Sequence, residues 1–153
     1  MAMIIEGEEK IEAPVHKVWE ALNDPEILRE CIPGCESLDK KSDTEMAAVV
    51  SLKIGPIKAR FNGEVQLLNL NPPHSYTIQG EGKGGIAGFA KGGADVSLKE
   101  DGNATILTYA AKADVGGKMA QLGSRLITST SKKLAGEFFS NFNAKVSGTQ
   151  AAE

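Results

Sequence analysis

Hydrophobic and polar positions follow three different rhythms along the chain, and each change of rhythm marks a change of element. Residues 3–11, "MIIEGEEKI", read as a first strand. Pro14 then suits the first turn of a helix. Val15, Val18, Trp19 and Leu22 recur at i, i+3, i+4 and i+7, the spacing of one helix face. Asn23-Asp24-Pro25 ends that helix and starts another, with Asp24 as N-cap and Pro25 at the first helical position. This second helix is short, from Pro25 to about Glu30, and Pro33-Gly34 closes it.

From Ser37 to Ala113 the period is two. Met46, Ala48, Val50, Leu52 and Ile54 share one side up to the turn signal Gly55-Pro56. Ile57, Ala59, Phe61, Gly63, Val65 and Leu67 then alternate with Lys58, Arg60, Asn62, Glu64 and Gln66, the pattern of a half-buried antiparallel strand. Asn71-Pro72-Pro73 turns the chain, and Tyr76, Ile78, Gly80 and Gly82 fall on one face of the next strand. Ala94, Val96 and Leu98 lead to a turn at Asp101-Gly102, and Leu107, Tyr109, Ala111 and Ala113 complete the series. After Gly116-Gly117 the period returns to 3.6. Met119, Leu122, Leu126, Thr130, Leu134, Phe138, Phe142 and Val146 form one stripe, which predicts a helix of about seven or eight turns.

The expected fold is therefore α+β: a strand, two short helices, about six antiparallel strands and one long C-terminal helix. Such a helix needs a large apolar partner, and the concave face of the curved sheet is the candidate. Residues 1–148 are expected to form a single domain, with 149–153 a frayed polar tail. The inward positions are small as often as large: Ala48, Ala59, Gly63, Gly80, Gly82, Ala94, Ala111 and Ala113. Small residues on facing walls do not fill a core at normal density, so a cavity is expected between sheet and helix. Its predicted lining comprises Phe61, Val65, Tyr76, Ile78, Tyr109, Met119, Leu122 and Leu126, with the last two facing the aromatics across the space.

"GEGKGGIAGFAKGGA", residues 80–94, contains a literal G-x-G-x-x-G. A dinucleotide site would need a helix directly after these glycines, which Gly88, Gly92 and Gly93 oppose. A glycine-flanked hairpin with an apolar tip, Ile86-Ala87-Gly88-Phe89, is the better reading. Such a tip is either a lid or docking surface, with Ile86 and Phe89 as contacts, or a turn folded back on the core.

Seventeen basic and 20 acidic residues make the chain mildly acidic, which argues against a nucleic-acid partner. The start lacks the apolar segment of a secretory signal, and no apolar run approaches membrane-helix length. A cytoplasmic location with reduced thiols is the expectation. Cys31 and Cys35 are spaced C-x3-C around Ile-Pro-Gly, and the two histidines, His16 and His74, are remote in sequence. That pattern disfavours zinc and leaves a structural turn with partly buried sulfurs ahead of a disulfide or functional thiol. No nucleophile–base motif is visible, so no catalytic residue is assigned. Arg125, beside the apolar stripe, is a candidate charged donor at the cavity mouth.

The element order resembles the helix-grip fold of the START/Bet v 1-like (SRPBCC) superfamily. Within it, "CIPGCESL", "GPIKARFNGEVQL", "NPPHSYTIQGEGKGGIAGFAKGGADVSL" and "VGGKMAQLGSRLI" are similar to the carbon monoxide dehydrogenase CoxG family, from about Ile5 to Phe142. The resemblance implies an accessory protein of a molybdenum-containing carbon monoxide dehydrogenase-type hydroxylase, associated with the membrane or with electron delivery to it. A lipophilic quinone or lipid-like molecule would suit the cavity. Some family members end in a hydrophobic extension, whereas this sequence ends in the polar "SGTQAAE", so peripheral or soluble behaviour is expected. The superfamily also hosts enzymes, which leaves a hydrolase or cyclase of a small apolar substrate as the alternative.

Overall fold

The computed structural model describes residues 2–147; the tail assigned to 149–153 lies outside them. Strand β1 (Ala2–Ile11) leads into helices α1 (Val15–Leu22) and α2 (Pro25–Cys31). A meander follows: β2 (Cys35–Lys40), β3 (Glu45–Ile54), β4 (Ile57–Asn71), β5 (Ser75–Lys83), β6 (Phe89–Asp101) and β7 (Ala104–Gly116). Helix α3 (Ser124–Val146) closes the chain. The seven strands form one antiparallel sheet in the order β1-β7-β6-β5-β4-β3-β2. β1 and β2 are thus opposite edges, and the α1–α2 pair carries the chain between them beneath one end of the sheet.

Local chemistry accounts for the corners. Asp24 caps α2, its carboxylate accepting from the Glu26 backbone N–H at 2.9 Å, with Pro25 behind it. Gly34 adopts φ +76 in the turn into β2, and a β-carbon there would collide with the Ser51 carbonyl. Two asparagines lash α3 to its neighbours. Asn143 donates to the Lys10 carbonyl at 3.2 Å and accepts from the Glu12 N–H at 3.0 Å, while Asn141 donates to the Cys31 carbonyl at 3.1 Å.

Two apolar clusters lie between sheet and helices. One gathers Ile11, Val18, Cys31, Leu107 and Phe142 where α1 and the end of α3 close the grip. The other gathers Ile54, Phe61, Ala87, Val115, Met119 and Ile127 at the opposite end. The C-terminal helix departs from the single rod expected. Gly117–Leu122 forms a separate 3-10 turn, Gly123 takes φ +89, and α3 proper is 23 residues long. That left-handed glycine resets the helical phase. Ile127, rather than Leu126, consequently becomes the buried residue of the first turn.

Candidate ligand-binding cavity

Antiparallel register aligns inward residues in rows across the sheet. Leu38, Ala48, Gly63, Gly82, Ala90 and Val115 make one row. Met46, Val65, Gly80, Gly92, Ala113 and Met3 make the next. The middle of both rows carries only glycine and alanine, so the sheet presents nearly bare backbone to α3. A β-carbon added at Gly82 would meet nothing within 4 Å, and one at Gly63 would meet only carbonyl oxygens, at 3.8 and 3.9 Å. Gly92 differs: a side chain there would strike the Lys112 carbonyl, so its absence is required by strand packing.

The result is a cavity of about 620 Å³ between the two clusters, walled by β3–β7 and by α3 through Ile127, Thr130, Ser131, Leu134, Phe138 and Phe139. Its surface is almost entirely hydrocarbon. Glu64 and Glu81 reach it only from strand positions whose register sends their carboxylates outward, Glu64 beside Lys41 and Glu81 beside Lys83. Inward polar groups are the hydroxyls of Tyr76, Thr130 and Ser131, and none donates to a described residue. A larger groove, about 870 Å³, lies on the outer face of the sheet among Glu6, Glu64, Lys91 and Lys112. Its alternating charges suit water, so the inner cavity is the candidate for an apolar molecule.

Of the residues expected to line the cavity, Phe61, Val65, Tyr76, Ile78 and Met119 do so. Leu122, Leu126 and Tyr109 do not. Leu122 and Leu126 lie over Gly55 in the β3–β4 turn, a shift that follows from the break at Gly123. Tyr109 stacks on Phe139, ring centroids 5.4 Å apart, and covers Gly7. Sequence reasoning missed Ile127, Ser131 and Phe139 because it extended one stripe through that glycine. Arg125 is exposed on the first turn of α3 and does not line the cavity. The hairpin tip is a 3-10 turn, Gly85–Ala87, that divides its residues. Ala87 is buried, Ile86 is 84% exposed, and Phe89, at 45%, lies across Gly116.

The thiols are free, and burial raises the pKa of both Cys31 and Cys35, which keeps them protonated and weakly nucleophilic. Among the described residues no three His, Cys, Asp or Glu side chains are grouped to hold a metal. His16 and His74 are both exposed.

Tyr76 packs edge-on against Trp19 at 5.3 Å, and burial pushes its phenol pKa well above the ordinary tyrosine value. The folded protein therefore keeps a proton that the unfolded chain loses, and stability must fall as pH rises past about 10. The melting temperature of the wild type is expected to drop more steeply between about pH 9 and pH 11 than that of Tyr76→Phe. Parallel slopes would contradict the assignment.

Comparison with known structures supports the helix-grip description. A conserved protein from Geobacillus kaustophilus is 30% identical, with 94% of this chain and 95% of that one covered at a TM-score of 0.89. A START superfamily protein from Mycobacterium smegmatis aligns at 11% identity, 94% and 96% coverage, and a TM-score of 0.70. The Zhui aromatase/cyclase from Streptomyces sp. R1128 aligns at 9% identity, 95% and 94% coverage, and a TM-score of 0.71. The last two show the fold alone. No curated protein matches the sequence. No helix among the described residues is long and apolar enough to cross a membrane. The family model of the carbon monoxide dehydrogenase protein CoxG matches residues 7–147, which hold every strand pair and helix that frames the cavity. This START-like chain accordingly belongs to the CoxG family.

Proposed function

We propose that the protein is a non-catalytic accessory protein that binds a lipophilic molecule for a molybdenum carbon monoxide dehydrogenase-type enzyme, working in the cytoplasm. The observation that carries this reading is the hydrocarbon cavity floored by Gly63 and Gly82, where the sheet forgoes side chains it has room for. The family's name speaks for the dehydrogenase as partner. A lipophilic quinone is the ligand class that fits both halves of the reading. Its ring and tail match the apolar walls, and its carbonyl oxygens can accept from Tyr76, Thr130 or Ser131. It would also take the electrons such a dehydrogenase releases.

A START-like fold does not separate binders from enzymes, as the name of the Streptomyces neighbour illustrates. The lining chemistry favours binding. Three hydroxyls face the cavity without a histidine or inward carboxylate beside them among the described lining residues. A raised phenol pKa makes Tyr76 a hydrogen-bond donor and a poor base.

Trp19, the single tryptophan, touches Tyr76 and so reports on the cavity. Titration with decylubiquinone should quench its fluorescence saturably, with one site per chain. Quenching that rises linearly with concentration, as for collision in solution, would refute the proposal.

A further inference from the structure

We infer that one end of the molecule, built from the β3–β4 turn, the β5–β6 tip and the entry to α3, docks on an anionic phospholipid bilayer. Antiparallel pairing gathers residues 53–58, 83–91 and 114–125 at that end. Exposed there are Lys53, Lys58, Lys83, Lys91, Lys118 and Arg125, while Asp114 is the one carboxylate in the same stretches. Lys83 pairs with Glu81 at 3.3 Å, and the other five cations make no ion pair among the described residues. The net charge of −3 conceals this polarity, because acids such as Glu12, Asp24, Asp43 and Asp101 lie in turns at the far end.

Ile86 stands at the apex of this basic end. Its 84% exposure is fixed by the turn itself, since Ala87 is anchored in the core and the Gly84 N–H donates to the Gly88 carbonyl at 2.8 Å. A protruding aliphatic side chain ringed by lysines matches an interface with acyl chains behind anionic headgroups. A nucleic acid offers no apolar layer to Ile86. An acidic protein would need a broader apolar patch for a stable contact than Ile86 and the rim of Phe89 provide.

Directly behind the apex lie Phe61, Ala87, Met119 and Ile127, the cluster that plugs this end of the cavity. Docking would set that plug against the membrane. This link, unlike the docking itself, rests on the lipophilic-ligand reading.

Flotation with vesicles tests the inference. The wild type should bind phosphatidylcholine vesicles containing phosphatidylglycerol, should ignore pure phosphatidylcholine, and should lose affinity as salt rises. Lys53→Glu with Lys58→Glu and Lys118→Glu should weaken binding at least about a hundredfold, each cation being worth about fivefold at an anionic surface. Ile86→Asp alone should weaken it about tenfold. A far-end control, Lys40→Glu with Lys99→Glu, should bind like the wild type. Circular dichroism melts should be unchanged in all variants, and Trp19 quenching by decylubiquinone should persist in the tip variants, so failure of the ligand reading would be seen separately. Absence of binding to anionic vesicles at low salt would overturn the inference. So would equal damage by the far-end variant, or binding to DNA or an acidic polypeptide without binding to vesicles.

Discussion

Gly82→Leu is expected to abolish ligand binding while leaving the fold intact. The position lies mid-strand in β5, its backbone pairs with Gly63 and Ala90, and an added β-carbon meets nothing within 4 Å. An isobutyl group can therefore enter the cavity without moving a strand. Replacing glycine in a strand also removes conformational freedom from the unfolded chain, worth about 0.4–1 kcal/mol in favour of folding. A ligand that fills the same space meets an overpacked site, at a cost of roughly 1–3 kcal/mol, or about ten- to a hundredfold in affinity. Decylubiquinone titration read by Trp19 and a thermal melt measure both effects on one sample. Unchanged affinity in a folded variant would place the ligand elsewhere.

Phe142→Ala should be the most destabilising single truncation in the helix. Phe142 is fully buried, stacks on Phe138 with centroids 5.7 Å apart, and sits in the cluster beyond the cavity where neighbours surround it. Removing such a ring costs about 3–5 kcal/mol, a large part of the roughly 5–15 kcal/mol that holds a domain together. Leu134 lies two turns earlier on the same helix, but it lines the cavity and already lacks partners on one side. Leu134→Ala should fall below the ~2–5 kcal/mol typical of a packed leucine. Urea midpoints of the two variants decide the matter. Equal losses would mean that the space beneath Leu134 is filled.

How much of this was legible in the sequence depends on how local the determining interaction is. Strand alternation is a property of neighbouring residues, so β4 and β5 and the small inward row Gly63–Gly82 could be read directly, and with them the expectation of a cavity. Asp24-Pro25 announced α2 for the same reason. The break at Gly123 was not legible, because the apolar stripe from Met119 to Leu126 runs through it at helical spacing. Only the tertiary fit of the Gly117–Leu122 turn over Gly55 shows that the phase is lost. Leu122 and Leu126 were misplaced as a result, and Ile127 was passed over. The tip posed a related problem: glycine content signals a turn, but Ala87 turning inward while Ile86 points out depends on the cluster beneath. The basic end was least visible of all. Lys53, Lys91 and Arg125 are far apart in sequence, and net composition averages them against acids at the opposite end.

The central claim is that the space between sheet and α3 is occupied by a lipophilic molecule in the cell. Organic extraction followed by mass spectrometry tests it most directly, applied to wild type and Gly82→Leu purified side by side from cells whose membranes contain quinone. The wild type is predicted to release a lipophilic compound at about one per chain, and Gly82→Leu to release essentially none. Equal yields from both proteins, or an empty wild type that also fails to take up decylubiquinone, would contradict it.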